Sequence, residues 1–190
     1  MRKIGFFGGS FDPIHLGHLN AIVRIKEHKK LDHVYVCPVN CSPYKTENPP
    51  IASGEDRLNM INIALHGLEG VSSLDIELKR EGPSYTFDSI KELIGREGAH
   101  YYLILSEDTT AHLEGWKSIE ELLLMATPLI IPRSSKSAEL NKKYINYYHS
   151  LPLMEISSTE IRSRLNKRVY CRHLLIDKVL DYIYSKDLYF

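Results

Sequence analysis

The sequence predicts an α/β protein in which a parallel sheet is covered by helices on both faces. Three observations lead there. Short apolar stretches alternate with longer helical patterns over most of the 190 residues. The strand candidates include near-continuous apolar runs such as Tyr101-Tyr102-Leu103-Ile104-Leu105, which suit strands buried on both sides. No internal repeat, low-complexity tract or linker interrupts the pattern, so residues 1–190 read as a single domain with a helical C-terminal part at about 157–190.

The elements follow in order. Lys3-Ile4-Gly5-Phe6-Phe7 reads as a first strand with glycines behind it, and Leu16 to Lys30 as a helix whose basic end suits a helix C-terminus. Val34-Tyr35-Val36-Cys37 is a second strand stopped by Pro38, followed by a Pro-rich loop from Asn40 to Ile51. Ser53 caps a helix with Leu58, Ile61, Ala64 and Leu65 on its apolar face. Val71 to Leu78 is expected as strand, Thr86 to Ile94 as helix stopped at Gly95, and Tyr101 to Leu105 as strand. Ile119 to Met125 is expected as helix, Pro128 to Ile131 as strand, Leu140 to Tyr148 as helix, and Met154 to Ile156 as a last strand. Two helices, from about Thr159 and from about Leu174, finish the chain.

Composition narrows the class. With 43% hydrophobic and 25% charged residues and a net charge of +0, the chain can bury a core and is unlike a disordered one. No apolar run is long enough to span a bilayer, and the N-terminus has neither an h-region nor a small-residue cleavage site. A cytoplasmic protein that binds no membrane is therefore expected. Three cysteines rule out a disulfide scaffold, and Cys37 and Cys41 form no zinc-type CxxC pair. From residue 133 onward, 11 basic residues face 6 acidic ones. That excess is too sparse for a nucleic-acid platform, so no nucleic-acid partner is expected.

Ligands of such sheets lie beyond the carboxyl ends of the strands. The first such place carries Gly8-Gly9-Ser10-Phe11-Asp12-Pro13-Ile14-His15-Leu16-Gly17-His18. Two glycines let the backbone approach a ligand. His15 and His18 are three apart at a helix start, where free N–H groups already favour an anion. Two imidazoles there add donors for a phosphate. The segment is neither a GxxxxGK[ST] loop nor a GxGxxG fingerprint, and it sets no nucleophile beside a base. Near the other end, Ile156-Ser157-Ser158-Thr159-Glu160-Ile161-Arg162 contains a capping box, Ser157 with Glu160. Arg162, one turn in, offers a planar fork that matches phosphate oxygens.

GGSFDPIHLGHL resembles the HxGH signature of the nucleotidylyltransferase superfamily, and ISSTEIR resembles its ISSTxIR motif. The longer match resembles the bacterial nicotinate-nucleotide adenylyltransferase family and extends through Pro43-Tyr44-Lys45, Ser84-Tyr85-Thr86-Phe87-Asp88 and Trp116 over nearly the whole chain. The fold this implies is the Rossmann-like doubly wound parallel sheet of HIGH-type nucleotidylyltransferases. The activity implied is adenylyl transfer from ATP to nicotinate mononucleotide, giving nicotinate adenine dinucleotide and pyrophosphate in NAD biosynthesis.

The resemblance implies catalytic roles for His15, His18, Lys45 and Arg162. It implies ATP contacts at Gly8, Gly9, Ser10, Phe11, His18 and Arg133, and at Ile156, Ser157, Ser158, Thr159 and Arg162. Nicotinate mononucleotide is implied at Ser10, Phe11, Lys45, Ser84, Tyr85, Thr86, Asp108, Trp116 and Lys117. In that scheme Tyr85 and Thr86 backbone groups hold the carboxylate, Trp116 stacks on the pyridine ring, Asp108 meets a ribose hydroxyl and Asp88 caps its helix. Mg²⁺ is expected on the ATP phosphates and water, with no protein metal site. The chain departs from the family pattern at Tyr44, at Ser106-Glu107 and at Lys117. Two alternatives stay open at this point: an adenylyltransferase for another acceptor, such as phosphopantetheine, and a nucleotide sensor that has lost catalysis. Monomer and homo-oligomer are equally open.

Overall fold

A parallel sheet of five strands is built around β1 (Lys3–Gly9). In this computed structural model, residues 1–43, 49–132, 142–152 and 154–190 are described. On one side β1 pairs with β2 (His33–Pro38), in register from Ile4 opposite His33 to Gly9 opposite Pro38, and β2 pairs with β3 (Val71–Ser73). On the other side β1 pairs with β4 (His100–Ser106), which pairs with β5 (Ala126–Ile131). The order β3-β2-β1-β4-β5 reverses direction between β1 and β4. A crevice for ligand opens where the order reverses, at the carboxyl ends of those two strands.

Helices cover both faces. Helices α1 (Leu16–Lys29) and α2 (Gly54–Leu65) bury Ile22, Ile25, Met60 and Ile61 against one face. Helix α3 (Thr86–Arg96) buries Ile90 and Leu93 against the other, beside Phe6, Tyr101 and Leu103 from the strands. The alternation of β1 explains the split: Ile4 and Phe6 point to one face and Phe7 to the other. After β4 come a short α4 (Glu107–Thr110), a 3-10 turn at Leu113–Gly115, and α5 (Ile119–Met125), which leads straight into β5. Finally α6 (Ser158–Asn166) and α7 (Asp177–Ser185) set Ile161, Leu165, Val179 and Ile183 into the apolar cluster of α1 and α2. Among the described residues no helix is long and apolar enough to cross a membrane.

The ends of the helices are sealed locally. Lys30 ends α1 in the left-handed region, with its N–H on the carbonyls of Lys26 and Glu27. Lys26, His28 and Lys29 complement the dipole there. Ser53 caps α2, its Oγ accepting from the Asp56 N–H at 3.0 Å.

Four expectations need correction. The strand foreseen over Val71 to Leu78 ends at Ser73, where its ladder with β2 stops opposite Val36. The chain turns instead, with the Asp75 carbonyl accepting from Leu78 and Lys79. Met154 to Ile156 form no strand; the Ile156 N–H folds back onto the Met154 carbonyl at 2.9 Å. Of the helix foreseen over Leu140 to Tyr148, the described part is a 3-10 turn at Lys142–Tyr147, and Tyr148 bridges to Ile130. The final helix also begins later than Leu174, at Asp177, after a 3-10 turn at Arg172–Leu174.

Candidate active site

The loop from β1 to α1 lies at the reversal of strand order, and its backbone is held in an unusual shape. Phe11 has φ +47°, a left-handed conformation that disfavours a side chain, yet its ring is buried. It packs edge-on to Phe7 and to His18, with ring centres 5.4 and 5.1 Å apart. The Arg57 guanidinium holds the loop from below, giving Nη1 to the Ser10 carbonyl at 2.9 Å and Nε to the Ala52 carbonyl at 3.2 Å. Arg57 is 2% exposed, and burial pulls its pKa below the usual arginine value while nearby Asp12 opposes that.

His15 and His18 form a reciprocal cap at the start of α1. The His18 N–H donates to His15 Nδ1, and the His15 N–H donates to His18 Nδ1, both at 3.3 Å. Their rings stack with centres 3.7 Å apart. A ring nitrogen that accepts a hydrogen bond carries no proton, so the proton of each neutral ring sits on Nε2. The three-residue spacing therefore does two things: it seals two backbone donors of the helix and makes both Nε2 atoms donors.

Two cavities meet here. One, of about 830 Å³, is lined by Gly8, Gly9, Ser10 and Phe11, by His15 and His18, and across the mouth by Ile156, Ser158, Thr159 and Arg162. The other, of about 450 Å³, is lined by Ser84, Thr86, Asp108 and Trp116, with Glu77 and His112. They share Gly8, Gly9, Ser10, Ser106 and Thr109, so a ligand in one touches the same strand ends as a ligand in the other. The lips of the larger cavity are tied across the chain. Ser158 Oγ donates to the Pro13 carbonyl at 3.0 Å, and Arg162 Nη1 donates to the Asp12 carbonyl at 2.7 Å.

Several sequence candidates stand differently. Ser157 does not line the cavity; its Oγ accepts from the Glu160 N–H at 3.1 Å and caps α6. Tyr85 precedes α3 as its N-cap and lines neither cavity, although Ser84 and Thr86 on either side do. Asp88 does not cap α3. Both its oxygens accept from Lys117 Nζ at 2.8 Å, and that ammonium also lies 4.9 Å from the centre of the Tyr85 ring. Lys117 lines neither cavity, so a direct hold on a ligand carboxylate is not its position here. Tyr44, Lys45 and Arg133 lie outside the described residues.

Sequence reasoning passed over Glu77, His112 and Thr109 in the smaller cavity and Asp12 in the larger. Glu77 is buried, accepts from Ser89 Oγ at 2.8 Å and meets Ser84. Burial pushes its carboxyl above the usual range, against the pull of Ser89, Arg80 and Ser84. The Ser84 hydroxyl accepts from the Asn40 N–H at 3.0 Å, which ties the start of α3 to the loop after β2. Among the described residues no three His, Cys, Asp or Glu side chains are grouped to hold a metal.

A cytidylyltransferase-like family model matches residues 6–164. A probable nicotinate-nucleotide adenylyltransferase of Oceanobacillus iheyensis is 38% identical over 190 residues, covering 100% of this chain and 97% of that one. One from Streptococcus mutans is 35% identical, covering 99% and 89%. The fold matches nicotinic acid mononucleotide adenylyltransferase of Plasmodium falciparum, solved with NaAD, at a TM-score of 0.81 and 22% identity, covering 100% of this chain and 98% of that one.

Proposed function

The chain belongs to the cytidylyltransferase-like family, and on that premise we propose that it transfers the adenylyl group of ATP to nicotinate mononucleotide in NAD biosynthesis. The products are nicotinate adenine dinucleotide and pyrophosphate. One observation carries the reading. A larger and a smaller cavity meet over Gly8, Gly9 and Ser10, beside two imidazoles that line the larger one and whose Nδ1 atoms accept from the backbone, which places the proton of each neutral ring on Nε2.

The larger cavity takes ATP and the smaller takes nicotinate mononucleotide. An oxygen of the mononucleotide phosphate attacks the α-phosphorus in line. The new P–O bond forms as the bond to the β-phosphate oxygen breaks, and pyrophosphate leaves with that electron pair. The attacking phosphate is already anionic, so no strong base is required. Positioning and charge stabilisation supply the rate. His15 and His18 donate to the α-phosphate oxygens as charge shifts towards the leaving group. Arg162, with the Thr159 hydroxyl and the backbone N–H groups at the start of α6, holds the outer phosphates. Lys45 and Arg133 join this set on the sequence resemblance alone.

Trp116 and Thr86 on the walls of the smaller cavity suit a flat ring with a carboxylate, and Asp108 suits a ribose hydroxyl. Magnesium enters with the triphosphate. Asp12 lines the larger cavity, but its two oxygens already accept from Ile51, Ala52 and Tyr189, so phosphate oxygens and water would hold the ion. When bound, it draws charge from the departing pyrophosphate. Residues 1–190 work as one unit in this scheme, supported by the apolar cluster that α6 and α7 share with α1 and α2. A cytoplasmic enzyme fits these substrates.

The test is pyrophosphate release with ATP and Mg²⁺, offering nicotinate mononucleotide, nicotinamide mononucleotide or phosphopantetheine in parallel. Rapid release with nicotinate mononucleotide is expected. Release only with another acceptor keeps the chemistry and overturns the assignment of the smaller cavity. Nucleotide binding with no release for any acceptor overturns the proposal.

A further inference from the structure

The segment after α7 returns to the active-site loop. Tyr189 lies 177 positions from Asp12, yet its hydroxyl donates to Asp12 Oδ1 at 2.7 Å in a buried setting. Tyr189 holds φ +71°, a left-handed conformation that disfavours an L-residue. Its hydroxyl is therefore delivered to Asp12 against a local backbone preference. Burial and the neighbouring carboxylate push the phenol well above its usual pKa, so it remains a donor.

Asp12 is the hub of what this bond reaches. The residue is 3% exposed, and its carboxylate also accepts from the Ile51 N–H at 2.8 Å and the Ala52 N–H at 3.1 Å. Those contacts fix the far end of the loop after β2. The Asp12 carbonyl accepts from Arg162 Nη1 at 2.7 Å, and the same nitrogen stands 3.8 Å from Asp12 Oδ2. Arg162 is thus held at the cavity lip by one residue, through both its carbonyl and its charge. Without the tyrosine hydroxyl, Asp12 Oδ1 keeps only the longer bond to Ala52, and the shortest of the three bonds that orient the carboxylate is lost.

We propose that Tyr189 is a positioning residue for adenylyl transfer: through Asp12 it fixes the place from which Arg162 holds the triphosphate. This rests on the reading of the larger cavity as the ATP site. Tyr189 itself lines neither cavity, so its effect reaches ATP only through that relay.

Tyr189→Phe removes one oxygen and keeps the ring. ATP affinity is measured at equilibrium, and KM for each substrate in the forward reaction. The expected result is a loss of about tenfold in ATP affinity and a matching rise in KM for ATP, the size of one hydrogen bond to a charged group, with KM for nicotinate mononucleotide changed by less than about twofold. In an Arg162→Ala background the same substitution should add almost nothing, because the group it positions is gone. A Tyr189→Phe protein with unchanged ATP affinity overturns the inference. So does a loss that is equal for both substrates, or one that adds fully to Arg162→Ala; a merely structural role predicts those outcomes.

Should Tyr189→Phe fold poorly, Asp12→Asn decides the matter through the same split between substrates. The two readings fail separately. A wild-type chain that binds ATP but releases no pyrophosphate overturns the proposed reaction, and the equilibrium comparison still tests Tyr189. A chain that binds no ATP overturns both.

Discussion

A side chain on Gly17 would strike His15: a Cβ there lies 3.1 Å from His15 Cε1 and Nδ1 and from the Met154 carbonyl oxygen. The glycine of the HxGH signature is thus set by space beside an imidazole. Elsewhere in a helix, Gly to Ala gains about 1 kcal/mol. Here that gain opposes crowding of a ring stacked on His18, so Gly17→Ala should change stability by less than about 1 kcal/mol. Turnover should nonetheless fall by about tenfold or more, since a small misplacement of a catalytic donor is costly. A thermal melt and a kcat measurement check both halves. A variant with native kcat would show that His15 has room to yield.

Each histidine ring accepts one bond of the reciprocal cap, so both substitutions cost α1 a capping bond, and the two roles separate most cleanly at His15, the N-cap itself. His18→Ala removes a donor to the transferring phosphate and should lower kcat by about 10²–10³, with KM little changed. His15→Ala should lose activity similarly and also lose the N-cap of α1, at about 0.5–2 kcal/mol. His15→Ser restores a good cap without an imidazole. It should therefore recover the stability and leave the turnover low. Recovery of both would mean that His15 serves only the helix.

The sheet was legible because its strands are continuous apolar runs between turn residues, and α5 was legible to its last residue. The histidine pair and the start of α6 were legible as motifs, since spacing alone puts such residues on one helix face. What escaped reading depends on distant chain. Tyr189 gives no local sign that it reaches Asp12 across 177 positions. Glu77 fell within the strand expected over Val71 to Leu78, and only the end of the β2–β3 ladder at Ser73 reveals the turn that buries it. Lys117 was expected to meet the ligand beside Trp116, and its partner Asp88 to cap α3. Pairing between two loops, each with its own local explanation, is invisible to a reading along the chain.

That pairing straps the Trp116 segment to the first turn of α3. Lys117 and Asp88 are 43% and 29% exposed, so the ion pair itself contributes at most about 1 kcal/mol to stability. Its expected value is positional, because Trp116 and Thr86 both line the smaller cavity. Lys117→Met should raise KM for nicotinate mononucleotide several-fold, by about the factor that half to one kcal/mol implies, with KM for ATP unchanged. High salt should erode the wild-type advantage. Equal effects on both substrates would remove the strap from the account of the smaller cavity.

Glu77 makes stability depend on pH in a definite direction. Its carboxyl titrates above the ordinary value of 4.5, chiefly because burial penalises the charge. Below that ordinary value the group is protonated in both folded and unfolded chains and contributes no pH dependence. As pH rises from there through the raised folded value, the unfolded chain has released a proton that the folded chain still holds. The folded state is then progressively disfavoured. Glu77→Gln removes this titration while keeping an oxygen for the Ser89 hydroxyl, which donates at 2.8 Å. Denaturant unfolding of both proteins from about pH 4 to pH 8 isolates the effect, because His33, whose pKa burial lowers, titrates alike in each. The stability of the wild type relative to Glu77→Gln should fall with rising pH across that window and level off above it. A difference that is flat, or that grows in favour of the wild type, would mean that Ser89, Ser84 and Arg80 outweigh burial and that Glu77 is held as a stable anion at the rim of the smaller cavity.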